Sequence, residues 1–119
     1  MKQTVRLNVA LTIHDGKLAA FEALAREMTA GTRHEPGAIA YDWHFSADRK
    51  RCRLIETYAN VDALMAHFKG HVVQELVPKL LGLSKLERFE VYGDPGAEAT
   101  KMLAPMGVDI FTDWHGLGR

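Results

Sequence analysis

A chain of 119 residues has the length of one domain and can bury a modest core. Fifteen basic and fifteen acidic residues cancel, which argues against nucleic acid as the main partner, because phosphate binding needs a basic excess or a concentrated basic stripe. A single cysteine, Cys52, excludes an internal disulfide, and no apolar run approaches the roughly 20 residues of a membrane span.

Residues 4–13 put Val5, Leu7, Val9, Leu11 and Ile13 on one face and Thr4, Arg6, Asn8, Ala10 and Thr12 on the other. This period of two predicts a half-buried strand. Asp15-Gly16 breaks it and can open a helix over 16–30, where Leu18, Phe21, Leu24, Ala25 and Met28 recur at helical spacing. Gly31 is a natural stop, and Glu35-Pro36-Gly37 is a turn. Residues 38–46 alternate again, with Ile39, Tyr41, Trp43 and Phe45 against Asp42, His44 and Ser46. A turn at 47–50 leads into a strand at 51–59, so the two strands read as an antiparallel hairpin. Arg49, Lys50, Arg51 and Arg53 cluster there as a solvated turn, and Cys52 reads as a packed thiol rather than a nucleophile.

Asn60 is a good N-cap for the stripe Val61, Leu64, Met65 and Phe68. Gly70 interrupts that stripe, and residues 71–81 resume it until Gly82, with a kink or division expected at Pro78. A fourth strand covers 83–92. Gly93-Asp94-Pro95-Gly96 is a turn, followed by a short helix at 97–103 and a fifth strand at 107–114. Met1-Lys2-Gln3 leads straight into a strand pattern with no visible signal peptide, so the expected location is the cytoplasm.

Strand, helix, strand, strand, helix, strand is the βαββαβ ferredoxin-like order, an α+β fold with its helices on one face of an antiparallel sheet. One domain covers 1–119, with a core at about 4–94 and a helix–strand extension at about 95–119. The other sheet face carries Arg6, Asn8, Thr12, Asp42 and His44. Two such faces packed together would close a dimeric α/β barrel across a homodimer. The last strand, with Phe111 and Trp114, either reaches a partner's sheet edge or closes its own.

The run Glu35-Pro36-Gly37-Ala38-Ile39-Ala40-Tyr41 resembles the E-P-G-x-x-x-Y turn of the antibiotic biosynthesis monooxygenase family. Glu56-Thr57-Tyr58-Ala59-Asn60, followed by Ala63 and Ala66-His67, resembles that family's hairpin exit and next helix. His71 falls where a second histidine often ends the motif, and Gly93 after the fourth strand fits as well. The resemblance covers residues 4–94 and implies a homodimer with a pocket between sheet and helices in each subunit. It also implies oxygen transfer to a small aromatic phenol or quinol without metal or flavin. An electron-rich phenolate can reduce oxygen itself if the protein binds it, helps deprotonate it and keeps water out.

Such chemistry needs a base, and His67 is the candidate, since imidazole titrates near neutral pH. Glu56 is two residues before Tyr58 on an otherwise apolar strand and could orient His67; Tyr58 could bond a substrate oxygen. Trp43, Tyr41, Leu64 and Phe68 are the candidate walls. His71 joins them if the helix passes Gly70 intact, because i and i+4 share a face. Each also has a plainer reading: a hydrogen-bonded core histidine, a structural Glu–His link, and aromatic residues that simply fill the core.

His67-xxx-His71 has two-histidine ligand spacing, but no third ligand stands at a fixed distance, so no native metal is expected. Nor does the sequence carry a glycine-rich phosphate loop or a nucleophile elbow, and no cofactor is expected. A haem-degrading branch of the superfamily uses an Asn on the first strand, a Trp and a helical His ligand. Here Asn8 lies opposite the apolar face, and Tyr58 stands where the Trp would be sought. The leading expectation is a cofactor-independent monooxygenase. The alternatives are a non-catalytic dimeric ligand-binding or stress-response module and an isomerase or haem-related enzyme.

Overall fold

In the computed structural model, which describes residues 3–118, the first alternating segment forms β1 (Val5–Ile13), with Val5, Leu7, Val9, Leu11 and Ile13 all buried. Helix α1 (Leu18–Thr32) follows, then the hairpin of β2 (Ala38–Phe45) and β3 (Arg51–Tyr58). Next come α2 (Val61–Lys69), a π-helical turn (Val72–Leu76), α3 (Val77–Leu83) and β4 (Ser84–Tyr92). The chain closes with α4 (Gly96–Leu103), a 3-10 turn (Ala104–Met106) and β5 (Asp109–Phe111).

The sheet order is β2-β3-β1-β4-β5. Every pair is antiparallel except β4 with β5, which is parallel. This is the expected ferredoxin-like arrangement with one strand added. The sheet is open, and β5 closes the edge of its own sheet, held also by a 2.9 Å bond from the Gly93 N–H to the Phe111 carbonyl. β5 is shorter than the segment 107–114, and Trp114 beyond it is 95% exposed. Among the described residues no helix is long and apolar enough to cross a membrane.

Three local expectations change. Asp15 does not cap α1, which begins at Leu18 with no side-chain cap. Gly31 does not end α1; it lies inside the helix, where a Cβ would come 2.6 Å from Val72 Cγ2. Its role is close packing of α1 on the π-helical turn. Gly70 adopts an extended conformation (ψ 175°), so α2 stops there and His67 and His71 do not share one helix face. Pro78 falls where the π-helical turn gives way to α3, so the helical segment divides there as expected. Asn60 caps α2 as expected, its Oδ1 accepting the Ala63 N–H at 2.8 Å.

The Glu35-Pro36-Gly37 turn has a packing reason. A Cβ on Gly37 would collide with the Ala63 side chain, so this turn runs directly against α2. The Gly37 carbonyl also accepts the Ala59 N–H at 2.9 Å, tying the turn to the exit of β3. Gly37→Ala is therefore expected to overpack the contact and destabilise the fold by about 1–3 kcal/mol, read as a lowered denaturation midpoint. An unchanged midpoint would show that the turn does not depend on this approach.

Candidate functional site

Register places three inward side chains side by side: Tyr41 on β2 and Leu7 on β1 both pair with Glu56 on β3. Glu56 is 4% exposed, between buried Leu54 and Tyr58 on the same strand face. A carboxyl there must find hydrogen bonds or stay neutral. Tyr58 lies two residues on, hence on the same face, and its hydroxyl donates to Glu56 Oε1 at 2.6 Å. From above, α2 lowers His67 onto the pair. His67 Nε2 stands 3.5 Å from the same Glu56 oxygen, outside good hydrogen-bond range.

The tight partner of His67 is Glu35, whose Oε1 lies 2.8 Å from Nδ1. A carboxylate only accepts, so Nδ1 carries the proton and the Nε2 lone pair is left facing Glu56. Tyr58 and Tyr41 rings flank the imidazole at 5.0 and 5.7 Å.

Burial sets the charges. It pushes Glu56 up to about 7, with the Tyr58 hydrogen bond pulling the other way and Glu35 adding to the rise. It pushes His67 below its ordinary value, against the opposing pull of Glu35. At neutral pH the imidazole is therefore uncharged. Both tyrosine hydroxyls are raised well above the usual range by burial first and Glu56 second, so they stay protonated donors. Cys52 is buried and its thiol is pushed up to about 11, so it packs and does not react.

A cavity of about 210 Å³ lies between the sheet and the helices. Its floor is Leu7, Val9 and Leu11 of β1, and its polar lining is Tyr41, Glu56, His67 and Gln74. Gln74 is turned away, its amide donating to the Phe68 carbonyl at 2.7 Å. A lone-pair acceptor and two hydroxyl or carboxyl groups at the wall of an apolar space can bind a small polar head and move a proton.

Of the sequence candidates, His67, Glu56, Tyr41 and Phe68 line the cavity, and Tyr58 reaches it through Glu56. Leu64 is fully buried in the core and is not part of the lining. Trp43 is on another groove: its Nε1 donates to Thr29 Oγ1 of α1 at 2.8 Å and its ring meets Phe21 edge-on. His71 is exposed and pairs with Glu75 at 2.7 Å, one turn along. Glu35 is a site residue that the turn assignment does not single out; its one signal in the sequence is its place at the head of the Glu35-Pro36-Gly37 motif. Met102, Leu103 and Met106 of the extension also line the cavity, and their sequence pattern gave no hint of it.

An open ferredoxin-like α+β sheet roofed by helices, with a carboxylate-held imidazole over a cavity, defines the class of protein. The family model for antibiotic biosynthesis monooxygenases matches residues 4–79, and the chain belongs to that family. Among solved structures it is similar to MupZ from Pseudomonas fluorescens, at 24% identity and a TM-score of 0.86, over 98% of this chain and 95% of that one. A conserved protein of unknown function from Bacteroides thetaiotaomicron is 28% identical, with a TM-score of 0.69 over 76% of this chain and 97% of its own. SnoaB, a cofactor-independent oxygenase from Streptomyces nogalater, is 19% identical, with a TM-score of 0.69 over 80% and 96%. No curated protein matches the chain.

The raised Glu56 makes stability depend on pH. The unfolded carboxyl ionises near 4.5 and the folded one near 7, so between those values the fold holds a proton that the unfolded chain has lost. Stability therefore falls as pH rises through that window, by at most about 3–4 kcal/mol at about 1.4 kcal/mol per unit. Glu56→Gln keeps an acceptor for Tyr58 but cannot ionise. Its stability relative to the unmodified protein is expected to rise between pH 5 and pH 8 in denaturant titrations. A difference that stays constant with pH would show that Glu56 is not buried as a neutral acid.

Proposed function

We propose that this protein is a cofactor-independent monooxygenase of a small phenol or quinol. The observation that carries the reading is a buried imidazole, held at Nδ1 by Glu35 at 2.8 Å, in the wall of a largely apolar cavity beside Glu56. SnoaB, of the same fold, is named as an enzyme that oxygenates without a cofactor. The space between helices and sheet is a cavity; of Leu64, Met65, Phe68 and Trp43 only Phe68 lines it, which supports room for a ligand.

In this reading His67 Nε2 accepts the phenolic proton, and the Nδ1–H bond to Glu35 stabilises the imidazolium that forms. Tyr41 or protonated Glu56 donates to the substrate oxygen as charge develops on it. The phenolate passes one electron to oxygen, and the two radicals join at a ring carbon as a hydroperoxide. Loss of water from that carbon leaves a carbonyl. One oxygen atom of the pair enters the product and the other leaves as water, so phenol and oxygen give quinone and water with no outside reductant. The apolar walls keep solvent from the intermediate.

The working unit in this reading is a homodimer. On the outer face of the sheet, Arg6, Asn8, Ile55 and Tyr92 line a groove that none of the described residues covers, which suits a second copy. Light scattering is expected to give twice the chain mass; a monomer at micromolar concentration would remove the dimer from the reading.

Oxygen uptake with a panel of quinols, after chelation and without flavin, tests the activity. His67→Ala is expected to lower the rate by about 10²–10⁴-fold. Glu35→Gln is expected to lower it less, and Trp43→Phe to leave it unchanged. Uptake that is absent across the panel, or indifferent to His67→Ala, would contradict the reading.

A further inference from the structure

The cavity is long and polar at one end. Leu7, Val9 and Leu11 alternate along its floor, and four residues of strand span about 14 Å. Tyr41 and Glu56 both belong to the row of Leu7, and His67 stands over that row. Two rows further on, Leu11 pairs with Cys52 and Leu86, and there the lining is aliphatic. The side wall comes from beyond residue 79, where the family match ends: Met102, Leu103 and Met106 of α4 and its 3-10 turn. Methionine is unbranched and fills irregular apolar gaps without fixing one shape.

Size narrows the occupant further. A cavity of about 150 Å³ takes up benzene. At about 210 Å³, this one exceeds that by the share of about two water molecules. The surplus is too small for a fused three-ring system and suits a short chain running toward the apolar end.

We propose that the site takes a single-ring phenol or quinol bearing a short unbranched alkyl substituent. The hydroxyl sits at His67 and Glu56, and the alkyl chain runs along Val9 toward Leu11 and Leu86 beside the methionines of the C-terminal extension. The phenolic head rests on the oxygenase reading above; the alkyl tail rests on the cavity alone.

Anaerobic calorimetric titration with phenol and its 4-ethyl, 4-propyl, 4-butyl and 4-hexyl derivatives tests it, with no turnover required. Affinity is expected to rise about fourfold per methylene until the cavity is full, then level off. Leu86→Phe and Met106→Phe are expected to move that limit to shorter chains, weakening the hexyl derivative far more than phenol. Affinity that is flat or falls with chain length would overturn the proposal, even if some member consumes oxygen. So would a fused tricyclic phenol that binds as tightly as the best alkylphenol. Chain-length-dependent binding with no oxygen uptake by any member would uphold the alkyl site and instead remove the oxygenase reading.

Discussion

The rest of the structure depends on one buried carboxyl. Glu56 occupies the inward row of β3, where the neighbouring inward residues are Leu54 and Tyr58. Burying it without partners would cost several kcal/mol. The fold meets this with the Tyr58 hydroxyl on the same strand, with protonation near neutral pH, and with an imidazole held just beyond bonding distance. That imidazole is fixed from its other side by Glu35, on a turn that can lie against α2 because Gly37 and Ala63 are small. Each step narrows the next. A larger residue at Gly37 would push Glu35 away, and a freely turning His67 would lose its distinction between two nitrogens.

The same geometry explains why the end of the cavity beside His67 is polar and the remainder is not. Strand register gives one row, Tyr41–Glu56–Leu7, its hydrogen-bonding groups and leaves the rows beyond it to apolar side chains such as Val9, Phe89, Leu11 and Leu86. An imidazole above such a floor is kept neutral by burial rather than by a neighbouring positive charge. A neutral imidazole in that position keeps an acceptor nitrogen available for a proton.

Much of the fold was legible because period two and period 3.6 are written directly into the chain. Val5 to Ile13 could be one thing only, and the βαββαβ order followed from counting segments. What failed to show was which helix covers which inward residue. Tyr41 and Trp43 share a strand face, yet Tyr41 lies under α2 at the cavity and Trp43 under α1, bonded to Thr29. Spacing alone also could not decide whether Gly70 lets a helix pass; its extended backbone separates His71 from His67. Glu35 was hidden for a different reason: a residue in a turn is assigned to the turn, and its 2.8 Å bond to His67 bridges 32 positions of sequence. The lining from Met102 and Met106 is likewise a long-range contact, with no local pattern to announce it.

The central claim is that His67 is a neutral imidazole with its proton on Nδ1 and a free lone pair on Nε2. Nitrogen-15 NMR of the imidazole, in protein labelled at histidine and assigned by comparison with His67→Gln, reads this directly at pH 7. The expected result is one protonated nitrogen, Nδ1, whose signal shifts when Glu35 is replaced by Gln, and one unprotonated nitrogen, Nε2. Two protonated nitrogens at that pH, or a proton on Nε2 instead, would contradict the account.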